Sequence, residues 1–321
     1  MNAGWRTVLG AIAAAVALSA WWAHARFTHE LAAAAARAAQ GSRVVSTRCG
    51  PIEVQESGNG RPLLVIHGAG GGHDQGMAFA RDLVPPDTRI IAPSRFGYLR
   101  TPRPADASPA AQADAHLCLL DALGVDKAAV LGISAGGPSA MLTAIRHPDR
   151  VTALALVVPV APAPDAAHTE PTSVAEDSIL LRLLGSDFLF WSALKLARGP
   201  VFRFVLATPP ELIAAATPAE RERANAVANQ VLPVSLRAAG LRDDTGLGRH
   251  LPPMALETIR VPTLVASARD DGYGTFDRSR YTASRIPGAR FLAFDTGGHL
   301  LVGRQDELRT AFAEWLAQSA N

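Results

Sequence analysis

The chain has 321 residues, 48% apolar and 19% charged, with 31 Lys plus Arg against 29 Asp plus Glu and a formal net charge of +2. That length suits one large domain carrying an insertion, and that apolar content excludes wholesale disorder. The near-neutral balance supplies no basic field for a nucleic-acid partner.

In chain order, Arg6 opens an apolar run over residues 7–25 whose polar breaks are Ser19 and His24. Ala23-His24-Ala25 closes it with the small-residue pattern of a secretory signal cut after Ala25. The run also reaches the lower limit of a membrane-spanning helix, and Trp21 and Trp22 near one end suit a membrane interface. Either reading sends the remaining chain across a membrane. An uncleaved anchor, with membrane contact through residues 7–25, is slightly preferred over a cleaved signal, and a buried helix is the third reading. Residues 26–42 are alanine-rich, helical in texture and without an apolar face, as a spacer would be. The first segment is therefore 1–42.

Beyond it, short apolar runs alternate with helical patterns. Residues 44–48 and 52–56 flank Cys49-Gly50-Pro51 as a hairpin. Strands are predicted at 63–66, 89–92, 128–131, 153–158, 263–266 and 290–294, and helices at 109–123, 138–147, 276–286 and 305–318. This alternation implies an α/β fold, a mostly parallel sheet covered on both faces. It stops between 161 and 253, where a Pro/Ala-rich opening at 159–164 leads to helical runs at 179–184, 188–196, 201–206 and 218–232. That stretch reads as a helical insertion, a cap at 161–253 dividing the core into 43–160 and 254–321. Cys118, within an apolar stretch, reads as a small core residue, and a single bridge to Cys49 stays open.

The chemistry gathers at predicted strand ends. Gly132-Ile133-Ser134-Ala135-Gly136 follows one strand and precedes a helix, the setting of a nucleophilic serine on a tight, strained turn. His67-Gly68-Ala69-Gly70-Gly71-Gly72 ends an earlier strand, and such a loop aims backbone N–H groups at a developing oxyanion. Ala135 N–H is one expected donor and Ala69 N–H the other, with Gly70 as alternative. The run lacks the Lys-Ser/Thr of a phosphate-binding loop. Gly297-Gly298-His299 follows the last strand and lets an imidazole reach over the sheet, with a pKa suited to moving a proton near neutrality. The acid that orients His299 is sought among Asp270, Asp271, Asp165 and Asp295. Asp271 is favoured and Asp270 is second.

Together these residues resemble the α/β-hydrolase superfamily over roughly 44–318, in the order Ser134, acid, His299. Pro93-Ser94-Arg95-Phe96-Gly97-Tyr98 is similar to a segment found in many members, as is Arg285-Ile286-Pro287-Gly288-Ala289 before the last strand. In that family the acid usually falls three residues after a small residue, and counting from Ala268 gives Asp271. The resemblance implies an eight-stranded, mostly parallel sheet with a helical cap after the sixth strand.

Fold alone does not choose the reaction. Serine stands where related epoxide hydrolases and dehalogenases carry aspartate, which favours acyl transfer through an acyl-Ser134 intermediate. Phe188, Phe190, Trp191, Leu194, Phe202, Phe204, Val205 and Leu206 make the cap rich in large apolar side chains. Most must pack it onto the core, and the remainder suit a hydrophobic ester of modest size. Arg198 and Arg203 could meet an anionic substrate, with solvated surface charge preferred. Carbon–carbon hydrolysis or haloperoxidase-like chemistry on the same residues is the alternative, and a non-catalytic binding protein is a third reading. No cofactor is expected. His67, His73 and Asp74 are too few convergent ligands to predict a metal site.

Overall fold

A computed structural model describes residues 3–163, 185–247 and 251–318. The chain divides into two units, Met1–Gln40 and Gly41–Asn321. The first is one helix, α1 (Ala3–Ala39). It runs unbroken through Ala25, so the apolar run and the spacer are a single element. Alanine is the best helix former, and an Arg26–Glu30 ion pair one turn apart (2.9 Å) lies just past that point. Val8–Ala39 is long and apolar enough to cross a membrane, at a mean hydropathy of 1.6. Ile12, Val16, Leu18, Trp21 and Trp22 are all exposed.

The second unit is built on an eight-stranded sheet in the order β1-β2-β4-β3-β5-β6-β7-β8. The strands are β1 (Ser42–Thr47), β2 (Gly50–Ser57), β3 (Pro62–Ile66), β4 (Arg89–Pro93), β5 (Ala128–Ile133), β6 (Val151–Val157), β7 (Thr263–Ala268) and β8 (Arg290–Phe294). β2 is antiparallel to β1 and to β4, and the remaining pairs are parallel. Side chains alternate between two cores. Leu64, Ile66, Val130, Leu154, Leu156 and Val265 face one side. Leu63, Val65, Ala129, Leu131, Ala153 and Ala155 face the other. Both faces are dry, which is why these strands read as continuous apolar runs.

Helices α3 (Pro109–Ala122), α4 (Gly137–Arg146) and α9 (Thr275–Arg285) contribute to the first core, and α2 (His73–Arg81) and α10 (Gln305–Gln318) to the second. Ser108 caps α3 by accepting from Ala111 N–H at 3.2 Å, with Pro109 in the first turn. Sequence patterning did not reveal α2. It is short and carries Gly76 in its middle, where a side chain would press on Val65 of β3.

Between β6 and β7 lie α5 (Asp187–Leu196), a π-helical turn (Val201–Val205), α6 (Pro210–Ala215), α7 (Pro218–Gln230) and α8 (Ala238–Leu247). The predicted run at 179–184 lies outside the described residues. Ser186 caps α5 and Thr217 caps α7. Phe190, Trp191, Leu194, Phe202 and Leu206 are buried, whereas Phe188 and Phe204 are exposed. Arg203 pairs with Glu211 at the surface, and Arg198 binds Asn225 and Asn229. Cys118 is not a free core residue: it is bonded to Cys49, tying α3 to the β1–β2 hairpin.

Candidate active site

Ser134 follows β5 directly. Its backbone takes φ 49°, a left-handed conformation costly for a side chain, between extended Ile133 and the helical start of α4. Its flanking glycines are required by space. A Cβ on Gly132 would lie 2.5 Å from Ala140 Cβ, and one on Gly136 would lie 2.4 Å from the Ile66 carbonyl. The turn thus holds the hydroxyl above the sheet's C-terminal edge.

His299 reaches that hydroxyl from the loop after β8. Gly297 and Gly298 supply φ values of 151° and 60°. The loop is pinned by His299 N–H to the Ala207 carbonyl (3.2 Å) and Leu300 N–H to Thr208 Oγ1 (3.1 Å). His299 Nε2 lies 2.9 Å from Ser134 Oγ, and Nδ1 lies 2.8 Å from Asp271 Oδ2. Asp271 also accepts from Tyr273 N–H at 2.9 Å and from the Thr275 hydroxyl. The Tyr273 ring meets the imidazole edge to face at 4.8 Å.

The neighbouring carboxylate has different partners. Asp270 accepts from Gly297 N–H (3.2 Å) and Gly298 N–H (2.8 Å), so it braces the histidine loop from behind. Of the other candidates, Asp295 is exposed and pairs with Arg269, and Asp165 lies outside the described residues.

The glycine-rich loop after β3 passes beside Ser134: a Cβ on Gly68 would lie 3.0 Å from Ser134 Cβ. Its backbone groups can be accounted for singly. Gly68 N–H donates to Gln75 Oε1 (2.9 Å), Gly70 N–H to the Tyr98 hydroxyl (3.4 Å) and Gly71 N–H to the Gly68 carbonyl (3.3 Å). Ala69 N–H has no partner among the described residues, and Ala69 itself is exposed. Of the two candidate donors in the loop, Ala69 is therefore the uncommitted one. Ala135 N–H, in the turn between β5 and α4, is likewise without a partner among the described residues.

His67 is a structural member of this loop. Its Nε2 accepts from Arg95 N–H at 2.9 Å, so its Nδ1–H donates to the Gly68 carbonyl at 2.7 Å. Burial, reinforced by the Arg95 charge, holds its pKa well below the usual histidine value. His73 faces Gln55 and Glu53, and Asp74 pairs with Arg237. Among the described residues no three His, Cys, Asp or Glu side chains converge as metal ligands.

A family model of the alpha/beta hydrolase fold matches residues 61–194. An alpha/beta hydrolase fold protein from Nakamurella multipartita is 32% identical in sequence, with a TM-score of 0.68 over 87% of this chain and 100% of that one. The chain belongs to the α/β-hydrolase superfamily. A thermophilic esterase from Thermogutta terrifontis shares the fold of this superfamily member, with a TM-score of 0.60, 21% identity, and coverage of 87% of this chain and 99% of that one. A 2-hydroxymuconate semialdehyde hydrolase from Pseudomonas putida is 38% identical over 32% of this chain, and one from Pseudomonas sp. (strain CF600) is 37% identical over 42%. The chain spans 38% and 51% of the lengths of these two curated relatives.

In this α/β-hydrolase chain, sequence patterning brought out Ser134, His299, both aspartates and the two glycine loops. It missed Tyr273 and Thr275, which fix the carboxylate, and Arg237 and Asp244, which come from the stretch between β6 and β7. Tyr98 stood in a family-like segment that gave it no role.

Proposed function

We propose that this protein is a serine hydrolase that cleaves hydrophobic carboxylic esters. The observation that carries this reading is the hydrogen-bonded series Ser134, His299, Asp271 with Ser134 on a left-handed turn. In the proposed reaction Ser134 Oγ attacks the acyl carbon while His299 Nε2 takes its proton. The carbonyl oxygen becomes an oxyanion that accepts from Ala69 N–H and Ala135 N–H. The imidazolium, held through Nδ1–H by ionised Asp271, then protonates the departing alkoxide, leaving acyl-Ser134. Water attacks the acyl group with His299 again as base, releasing the acid and restoring the serine. Val231 and Leu241 of the cap stand beside the loop, 3.6 and 3.8 Å from where a Cβ on Gly70 would lie, and such apolar neighbours favour a substrate of low polarity.

A second reading is carbon–carbon bond hydrolysis, supported by the names of the two Pseudomonas relatives. The test has two parts. A fluorophosphonate probe should label the wild type and not Ser134→Ala; absence of wild-type labelling would remove Ser134 as nucleophile. Turnover of a nitrophenyl ester chain-length series should exceed turnover of 2-hydroxymuconate semialdehyde, and the reverse order would move the assignment to carbon–carbon hydrolysis.

We also infer that α1 is retained as a membrane anchor and that the hydrolase unit is exported. Trp5 and Trp22 stand about 26 Å apart along the helix, at 1.5 Å per residue, close to the thickness of a bilayer core. The Cys49–Cys118 bond suits an oxidising compartment. Sequencing the mature protein's N-terminus decides the point, since a chain beginning at Arg26 would mean a cleaved signal.

A further inference from the structure

The cap insertion touches the oxyanion loop through charged groups, not only through apolar packing. Asp244 on α8 accepts two hydrogen bonds from Arg95, at 3.0 and 2.5 Å, and one from the Tyr98 hydroxyl at 2.5 Å. Arg95 and Asp244 side chains are only 8% and 6% exposed, so water competes weakly for this pair. The Tyr98 hydroxyl, its own proton committed to Asp244, is the acceptor for Gly70 N–H at 3.4 Å. Arg95 extends the connection, because its backbone N–H holds His67, whose Nδ1–H in turn holds the Gly68 carbonyl. Arg237, just before α8 and fully buried, donates to the Gly71 carbonyl and forms a two-pronged contact with Asp74 of α2 (3.2 and 2.8 Å). The backbone of α8 is locked down as well. Gly240 N–H donates to the Gly97 carbonyl at 3.0 Å, and a Cβ on Gly240 would stand 2.0 Å from the Tyr98 ring.

Ala69 is therefore held on both sides: the Gly68 carbonyl, in the same peptide as Ala69 N–H, is fixed by His67 and through it by Arg95, the partner of Asp244, and the chain just beyond is fixed from the cap at Gly70 N–H through Tyr98 and Asp244 and at the Gly71 carbonyl through Arg237. We propose that Asp244, Tyr98 and Arg237 are positioning residues that hold the Ala69 N–H aimed at the oxyanion only when α8 is docked on the core. The cap then acts on the chemical step and not only on which substrate enters. A displaced donor fails at the transition state, where charge is greatest, and costs little in the ground state, where the carbonyl carries little charge. The inference rests on the serine-hydrolase reading.

The test uses the full-length protein and three variants: Asp244→Asn, Tyr98→Phe and Arg237→Gln. Tyr98→Phe keeps the ring against Gly240 and removes only the hydroxyl, so it guards against variants that fail to fold. Each folded variant, verified by its melting curve, should lose roughly 10- to 100-fold in kcat on a nitrophenyl ester with KM within about threefold. Inhibition by a trifluoromethyl ketone, which places an oxyanion in the same position, should weaken in parallel with kcat/KM. Inhibition by the product carboxylic acid should not change. Unchanged kcat in folded Tyr98→Phe and Asp244→Asn, or a change confined to KM, would overturn the proposal while wild-type turnover upheld the hydrolase reading. Absence of wild-type labelling and turnover would overturn both.

Discussion

Asp270 and Asp271 are adjacent, chemically identical and turned toward different partners. Asp271 turns inward to His299, Tyr273 N–H and the Thr275 hydroxyl; Asp270 turns back to the Gly297 and Gly298 N–H groups. These donors fix the Asp271 carboxylate against His299 Nδ1, where it would stabilise an imidazolium. Asp271→Asn should therefore lower kcat by roughly 10^3- to 10^4-fold, because the amide no longer fixes the imidazole tautomer. Asp270→Ala should cost far less, with a lower melting temperature as its main effect, since it loosens a loop without touching the imidazole. Steady-state kinetics on one ester measure both. A larger kcat loss at Asp270 would exchange the two roles.

At the scale of elements, two attachments stand out by their distance in sequence. Cys49 and Cys118 close a separation of 69 residues with a Cα–Cα distance of 5.9 Å, fastening the antiparallel hairpin at the sheet's edge to α3. By loop-closure entropy such a bond contributes about 4 kcal/mol, with measured cases more often at 2–4. The paired change Cys49→Ser with Cys118→Ser should lower unfolding stability by roughly that amount in urea titration. No change would mean that the hairpin holds its place without the bond. The sequence leaves the cysteine pairing open because two cysteines give no framework, and only the packing of the hairpin on α3 brings them together. Helices α6 and α8 were also not apparent from pattern. The first is a short turn and the second carries Asp243, Asp244 and two glycines, so neither shows a clear apolar stripe. Their placement depends on the core surface they meet.

For the molecule as a whole, buried histidines add to the loss of stability expected in acid. His116, buried beside Ser139, has its pKa pushed down to about 3 by desolvation, with a smaller contribution from the Arg95 charge. His67 is shifted in the same direction for the same leading cause. A base whose folded pKa lies below its unfolded value is neutral in the native state and binds its proton on unfolding. Its stabilising effect is complete above about pH 6.5 and is lost as pH falls below that value toward the folded pKa. Between about pH 6 and 4.5, stability should decline by up to about 1.4 kcal/mol per pH unit from His116 alone, and His67 adds to the slope in the same direction. His116→Gln should remove one proton from that slope, as measured by urea unfolding at several pH values. An unchanged slope would show that His116 already titrates in the folded protein.

The strands, helices α3, α4, α9 and α10, the Ser134 turn, the histidine loop and the apolar N-terminal helix were all legible in the chain itself. Each depends on local patterning: apolar runs at strand length, glycines where backbones approach closely, and a long run without charge. Which of Asp270 and Asp271 meets His299, the freedom of Ala69 N–H against the commitment of Gly70, the cysteine pair, and the hold of Asp244 and Arg237 on the glycine-rich loop depended on tertiary structure. Hydrogen-bond direction and three-dimensional closeness decide these, and spacing along a chain carries neither.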